Sequence, residues 1–217
     1  MSRGLRLPAL CLVTDRQLSG PDRLLDTVAA ALDGGVTMVQ LREKDLPADE
    51  LYRLGLRLKE AVSGRALVIV SDRVDVALAI GADGVQLGTG SLTVPVARSL
   101  VGPDVLLGRS VHSLAEAARA EQDGADFVVL GTIYPSRSHP GRPGAGLGLA
   151  REVAAAVRIP VIAIGGIDAD NAGEVVAAGA SGVAVISAIL GVADPRAAAE
   201  ALAGAVVAIW RERRVQR

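Results

Sequence analysis

Several short segments of this 217-residue chain combine cations, amides and hydroxyls in a way that suits binding of an anionic substrate. The segment Gln40-Leu41-Arg42-Glu43-Lys44 carries an amide and two cations at alternate positions. In an extended strand Gln40, Arg42 and Lys44 would share one face, with Leu41 and Glu43 on the other. Arginine offers a two-pronged donor and lysine a point charge, and both suit phosphate groups. A solvated Arg42–Glu43 charge cluster is the alternative interpretation.

Two consecutive glycines, Gly165 and Gly166, follow an apolar run late in the chain, and Ser187 follows the next such run. Glycine lets the backbone approach a ligand closely because no Cβ stands in the way, and free backbone N–H groups bind phosphate. A tight turn that needs a positive φ would explain only one of the two glycines. The pair therefore predicts a site for a phosphorylated small molecule.

Three further polar positions each admit two interpretations. Asp72, directly after Ser71, could ligate Mg²⁺ or cap the helix that follows. His112, just beyond Ser110, could act as an acid or base near neutral pH, or serve only in capping or packing. The Gly- and Pro-rich segment PSRSHPGRPGAG is typical of a substrate clamp or lid rather than a merely solvated loop, and its anion-binding donors are Ser136, Arg137, Ser138, His139 and Arg142.

The apolar pattern supplies elements that could gather these distant residues. Eight short runs rich in Val, Ile and Leu predict strands at Ala9–Thr14, Thr37–Arg42, Ala66–Ser71, Gly84–Leu87, Leu106–Val111, Phe127–Gly131, Val161–Gly165 and Gly182–Ser187. Amphipathic stretches between and after them predict helices, among them Asp22–Leu32, Ala48–Val62, Leu114–Gln122, Ala169–Ala178 and Asp194–Arg214. Pro95 fits the first turn of a helix after Leu92.

An internal sequence repeat supports this alternation of strands and helices. Similar helix-to-strand connections begin at Gly34, Gly81, Gly124 and Gly179. Eight strands and eight helical segments predict an α/β fold of the (β/α)8 TIM barrel type. An open doubly wound sheet is the alternative, but VTDRQLSG after the first strand is no dinucleotide fingerprint. A barrel would place its chemistry at the carboxyl ends of the strands, where the chain has Thr14, Asp15, Gln40, Arg42, Lys44, Ser71, Asp72, Gln86, Ser110, His112, Gly165, Gly166 and Ser187.

Composition narrows the class of protein. Half of the residues (50%) are hydrophobic and the composition is uniform, which predicts one domain over 1–217. A net charge of −1 provides no basic field for a nucleic acid. The single cysteine, Cys11, excludes an intramolecular disulfide and is expected in the core.

No run approaches about 18 uncharged apolar residues, so no membrane-spanning helix is expected. The start of the chain lacks the small-residue cleavage site of a signal peptide, which favours a cytoplasmic protein. The Ala-rich tail helix with Trp210 could pack on its own barrel or on a second copy, which leaves a homodimer open.

The chain resembles the thiamine-phosphate synthase family, which includes the thiazole tautomerases. The resemblance spans nearly the whole chain, in segments LVTDR (12–16), VQLREKDL (39–46), SDRVDVALAIGADGVQLG (71–88), GRSVHSLAEA (108–117), GADFVVLGTIYPSRS (124–138), IPVIAIGGI (159–167) and GVAVISAI (182–189). It implies a (β/α)8 barrel and an enzyme of thiamin biosynthesis that binds small phosphorylated substrates.

For a synthase, the resemblance implies that hydroxymethylpyrimidine pyrophosphate is coupled with hydroxyethylthiazole phosphate to give thiamine phosphate and pyrophosphate. Gln40, Arg42 and Lys44 would hold the pyrophosphate, with Ser110 in contact and Asp72 ligating Mg²⁺. Substrate contacts are also implied for Ser71, Ser136, Ser138, His139, Gly165, Gly166, Ile186 and Ser187.

The chain departs from the synthase pattern at several positions. Ser71 stands where an asparagine is usual, Gln86 where a histidine is common, and His139 where a lysine follows the loop hydroxyls. Ser91 occupies the position of a second Mg²⁺ aspartate, and this loss of a carboxylate should weaken metal binding.

Gln86, Ser91 and the run Arg109-Ser110-Val111-His112 resemble the tautomerases instead. Those enzymes isomerise a thiazole carboxylate phosphate without metal, and His112 would be the acid–base catalyst. Tautomerase chemistry gives no evident use for Gln40, Arg42, Lys44 and Asp72 together, which favours the synthase. A non-catalytic ligand sensor is a third hypothesis, which turnover of either substrate would eliminate.

Overall fold

Eight parallel strands close into a barrel in the computed structural model, which describes residues 4–136, 141 and 143–215. The strands are β1 Ala9–Val13, β2 Met38–Leu41, β3 Leu67–Ser71, β4 Gly84–Leu87, β5 Leu106–Val111, β6 Phe127–Gly131, β7 Val161–Ile164 and β8 Gly182–Val185. Each strand pairs with the next in the chain, and β8 pairs with β1. The predicted (β/α)8 TIM barrel is confirmed, and the alternative of an open sheet is wrong.

Ten helices lie in the described part of the chain, two more than predicted. They are α1 Arg16–Ser19, α2 Leu24–Asp33, α3 Ala48–Val62, α4 Val74–Ala79, α5 Val94–Val101, α6 Leu114–Gln122, α7 Gly146–Ala156, α8 Ala172–Ala177, α9 Ser187–Leu190 and α10 Pro195–Val215. The bounds of α3 and α6 are as predicted, and Pro95 lies in the first turn of α5. The two unforeseen elements, α1 and α9, have only four residues each, too few to show a helical period.

The strand alternation explains where the core lies. Inward-facing side chains such as Cys11, Ile69 and Phe127 fill the barrel, while neighbours such as Leu12 pack outward under the helices. Cys11 is buried as expected, and burial raises the pKa of its thiol to about 12. The thiol therefore remains protonated and packs as a small apolar group.

Several predicted strands are too long by one or two residues at an end. Arg42, Gly165 and Ser187 were expected inside strands, but the ladders end at Leu41, Ile164 and Val185, and Ser187 begins α9. These corrections share a cause: beyond the last paired residue the backbone turns toward the mouth of the barrel. Arg42, Gly165 and Ser187 thus lie beyond the strands, at the carboxyl ends that position them.

The tail helix α10 packs on its own barrel, against α2 and α8. Trp210 contacts the hydrophobic core, and Arg213 lies 5.7 Å from the centre of its ring while donating to the carbonyls of Val176 and Ala180. Within residues 4–136, 141 and 143–215, no helix combines the length and apolar character needed to cross a bilayer.

Candidate active site

A cavity of about 680 Å³ opens at the carboxyl ends of the strands. Its lining brings together most of the positions selected from the sequence: Gln40, Arg42, Lys44, Ser71, Asp72, Ser110, His112, Ser136, Gly165, Gly166, Ile186 and Ser187. The predicted residues Ser138 and His139 lie outside the described residues, as do Arg137 and Arg142. With Asp15 after β1 and Gln86 on β4, which also line the cavity, residues from all eight strand ends or following loops meet in one concave site.

The segment after β2 supplies the cations of this site. Arg42 and Lys44 line the cavity, and the Arg42 backbone N–H donates to the buried Thr14 hydroxyl at 2.9 Å. Neither cationic side chain forms an ion pair with a described residue. Both charges are thus available to an anion in the cavity.

Glu43 has a structural contact instead of the expected pairing with Arg42. Its buried carboxylate accepts the Arg16 backbone N–H at 3.1 Å, and the Arg16 guanidinium forms two hydrogen bonds to Asp45. These bonds hold the pKa of Asp45 below its usual range. The interpretation as a solvated Arg42–Glu43 charge cluster is therefore wrong. Glu43 instead bonds the start of α1 to the loop after β2, and Arg42 has no ion-pair partner among the described residues.

Two amide–hydroxyl pairs bridge neighbouring strands at the base of the cavity. Gln40 Nε2 donates to Ser71 Oγ at 2.8 Å, and Gln86 Nε2 donates to Ser110 Oγ at 3.0 Å. Both amides are buried. The sequence placed Gln86 among the strand ends but gave no sign of its hydrogen bond to Ser110.

Asp72 adopts a left-handed backbone with φ of 62°, which turns its carboxylate toward the loop after β4. Its Oδ1 accepts the Gly88 N–H at 2.8 Å and the hydroxyl of Ser91, which also accepts from Gly88 at 2.7 Å. The alternative in which Asp72 caps α4 is wrong, because Arg73 is the N-cap residue and forms no side-chain cap bond.

The nearby carboxylate of Asp75 is paired with Arg73 and does not line the cavity. Arg73 holds it with hydrogen bonds of 2.8 and 2.5 Å, which lower the pKa of Asp75. Among the described residues no cluster of three His, Cys, Asp or Glu residues forms a metal site. Asp72 and Ser91 nevertheless place a carboxylate oxygen and a hydroxyl oxygen side by side at this strand end.

His112 lies at the rim of the cavity with 44% of its side chain exposed. Its Nδ1 lies 3.3 Å from Glu116 Oε2, and the same carboxylate oxygen accepts the His112 backbone N–H at 2.8 Å. The imidazole is thus tethered to the first turn of α6 rather than held over the base of the cavity.

The opposite side of the cavity carries the glycine pair. Gly165 and Gly166 have φ values of 105° and 63°, and a Cβ at Gly166 would lie 2.6 Å from the Pro135 carbonyl oxygen. Asn171 Nδ2 donates to the Gly166 carbonyl at 2.9 Å, which fixes this peptide. The Gly166 N–H donates to no acceptor among the described residues, so it can bind a ligand.

The loop after β6 closes this side. Ser136 Oγ is buried and has no partner among the described residues. Sequence reasoning missed two polar lining residues nearby, Thr132 and Asp168. Thr132 directly follows the predicted strand end at Gly131, and Asp168 comes two residues after Gly166, so their proximity to selected segments could have identified them.

Comparison with known proteins points to one family. A family model described as thiamine monophosphate synthase matches residues 10–189. The chain is 48% identical over 196 residues to a thiamine-phosphate synthase of Moorella thermoacetica, with 89% of this chain and 93% of the relative covered. It is 44% identical over 194 residues to the thiamine-phosphate synthase of Pyrococcus furiosus, with 89% and 92% covered.

Solved structures agree. A thiamine phosphate pyrophosphorylase from Pyrococcus furiosus superposes with a TM-score of 0.85 at 42% identity, covering 93% of this chain and 96% of that one. A 3-hexulose-6-phosphate synthase superposes with a TM-score of 0.74 at 21% identity, covering 91% and 99%, and shows a shared fold alone.

Proposed function

The chain belongs to the thiamine monophosphate synthase family, and from this premise we propose how its barrel mouth works. The enzyme is a transferase that couples hydroxymethylpyrimidine pyrophosphate with hydroxyethylthiazole phosphate, giving thiamine phosphate and pyrophosphate. One observation supports the site assignment most: residues of separate loops line the same cavity, and their cations and backbone donors have no partner within the described part of the chain. Two anionic substrates can thus bind side by side.

The pyrophosphate binds at the β2, β3 and β5 loops. Arg42 and Lys44 neutralise its charge, and Gln40, Ser71 and Ser110 line the adjacent wall. The bond from the pyrimidine methylene carbon to the pyrophosphate oxygen breaks, and the oxygen keeps the electron pair. Preorganised cations stabilise the negative charge that develops on this leaving group.

Magnesium fits the donors that the site offers. Mg²⁺ favours oxygen ligands and is often held by one or two carboxylates plus substrate phosphates. Asp72 Oδ1 accepts two hydrogen bonds, while its Oδ2 accepts none from a described residue, and Asp72 lines the cavity. Asp72 would hold the ion, and the bound ion would supply further positive charge to the pyrophosphate.

The thiazole phosphate binds on the opposite side, where the Gly166 N–H and the Ile186–Ser187 backbone face the cavity. The buried Ser136 hydroxyl, together with Ser138 and His139, is proposed to contact the substrates there. Breaking the carbon–oxygen bond leaves a pyrimidine carbocation, and the thiazole nitrogen held beside it then attacks the methylene carbon. Proximity, rather than an acid–base residue, then provides the main acceleration.

A metal titration tests this function. We expect EDTA to abolish coupling and added Mg²⁺ to restore it, because Asp72 is a lining carboxylate next to Ser71 and close to the cation Lys44, where the pyrophosphate is proposed to bind. A tautomerase acting through His112 would keep its activity in EDTA. Coupling that is unchanged by EDTA and by added Mg²⁺ would contradict the proposal.

A cytoplasmic location and a homodimer stay predictions from the sequence.

The Gly166→Ala variant tests the phosphate loop. Gly166 has a φ of 63°, and an alanine Cβ there would lie 2.6 Å from the Pro135 carbonyl oxygen. The loop must therefore move to accept the methyl group, which displaces the Gly166 N–H. We expect the KM for hydroxyethylthiazole phosphate to rise about tenfold, with a much smaller change for the pyrimidine substrate. Gly148→Ala, on an exposed turn of α7 where no atom lies within 4 Å of a Cβ, is the matched control. Equal KM changes for both substrates would argue against separate binding sites for the pyrophosphate and the thiazole phosphate.

A further inference from the structure

Gln86 is a buried amide that contacts the cavity but has been given no part in the reaction so far. It is 3% exposed, lies on β4 opposite Gly108 of β5, and donates from Nε2 to Ser110 Oγ at 3.0 Å. Its Oε1 is buried without a hydrogen-bond partner among the described residues. Leaving this buried carbonyl oxygen unpaired costs free energy. The cost suggests that the hydrogen bond donated by Nε2 to Ser110 serves a function.

Packing fixes which way the amide faces. Its Oε1 lies over Gly108, where a Cβ would come within 2.2 Å of the oxygen and 2.3 Å of Phe127 Cζ. The opposite orientation would place both N–H groups against a glycine methylene and an aromatic ring with neither of them paired, whereas the observed orientation pairs one of them with Ser110. Gly108 and Phe127 therefore direct the N–H groups of Gln86 toward Ser110.

This orientation determines what the Ser110 hydroxyl can do. A serine hydroxyl has one proton to donate and two lone pairs that accept. Because Ser110 Oγ accepts from Gln86, its own proton stays free for a group in the cavity. The pair Gln40–Ser71 repeats this arrangement at 2.8 Å between β2 and β3. Both hydroxyls are thereby presented as donors, which is what an anion requires.

We propose that Gln86 is a positioning residue that holds the Ser110 hydroxyl as a hydrogen-bond donor to the pyrophosphate group. The inference rests on the proposed binding of pyrophosphate beside Ser110. Gln86 acts through Ser110 and does not touch the substrate, which distinguishes it from Arg42 and Lys44. A residue at this position that accepted a hydrogen bond from Ser110 would instead occupy its only O–H donor and weaken binding of the anion.

The test measures binding of inorganic pyrophosphate with Mg²⁺ by calorimetry. We expect Gln86→Met, which removes the donor at similar volume, to raise the Kd about three- to tenfold. Gln86→Glu keeps the shape but presents a carboxylate that accepts a hydrogen bond from the Ser110 hydroxyl, so its Kd should rise at least tenfold. The Kd for hydroxyethylthiazole phosphate should stay within twofold in both variants, which a general loss of structure would not allow.

A double-mutant cycle with Ser110→Ala separates positioning from direct contact. If Gln86 acts through Ser110, Gln86→Met should change the Kd less than twofold in the Ser110→Ala background. The same increase in both backgrounds would overturn the inference. Gln122→Met, at an exposed glutamine at the end of α6, is the matched control and should bind as the parent does.

The outcomes for Ser110 distinguish this inference from the proposed function. If Ser110→Ala leaves the Kd for pyrophosphate unchanged, Gln86 has no hydroxyl to act through and the inference fails. Formation of thiamine phosphate by the parent enzyme would still support the function in that case. A parent enzyme that binds no pyrophosphate at all would overturn both.

Discussion

The Arg42→Met variant should lose about two to three orders of magnitude in kcat/KM for the pyrimidine pyrophosphate. Arg42 lines the cavity, and its guanidinium forms no ion pair with a described residue, so its charge is available to the leaving group. Methionine keeps much of the side-chain length but supplies neither charge nor donors. Steady-state kinetics with the thiazole phosphate saturating would measure the effect.

Arg53→Gln is the matched control for this variant. Arg53 lies on α3 with 75% of its side chain exposed, and its ion pair with Asp49 is long at 3.4 Å. Exposed pairs of this kind contribute little to stability, so activity should be unchanged. An Arg42→Met enzyme with near-parental kcat/KM would mean that the pyrophosphate binds elsewhere in the barrel.

The Asp72→Asn variant should show the second large effect, a loss of a hundredfold or more in kcat together with weaker Mg²⁺ dependence. Asparagine tolerates the left-handed backbone at this position and can still accept the Gly88 N–H through its carbonyl oxygen. The substitution therefore removes the charge while preserving the local conformation. Activity assayed across a range of Mg²⁺ concentrations would reveal both changes.

Asp75→Asn provides the comparison for Asp72. Asp75 is three residues away, 65% exposed, and bound to Arg73 outside the cavity lining. We expect it to retain parental activity and metal dependence. If instead Asp75→Asn lowered metal affinity as much as Asp72→Asn, Asp75 would be taking the role of the absent second carboxylate.

The alternation of short apolar runs with amphipathic helical stretches made the barrel predictable, because parallel strands buried on both faces appear as continuous Val, Ile and Leu runs. The bounds of β4, β5 and β6 matched the prediction, whereas β7 and β8 ended earlier. Glycines and hydroxyl residues continue those runs past the last ladder bond. Such residues fit both a strand and the loop after it, so pattern alone cannot mark the end.

The site was predictable as a set of residues but not as a set of contacts. The alternation rule placed Gln40, Arg42 and Lys44 toward one cavity, which the lining shows. The sequence could not show that Glu43 would bind the Arg16 backbone, because these residues are neighbours only once β1 and β2 are paired. The contact between Ser91 and Asp72 depends in the same way on the backbone turn at Asp72.

Phosphorus NMR of the complete reaction tests the central claim most directly. The purified chain would be mixed with hydroxymethylpyrimidine pyrophosphate, hydroxyethylthiazole phosphate and Mg²⁺. We predict thiamine phosphate and free pyrophosphate in equal amounts, since each methylene–oxygen bond broken becomes one carbon–nitrogen bond. Consumption of neither substrate, together with isomerisation of the thiazole carboxylate phosphate in a separate assay, would contradict the account.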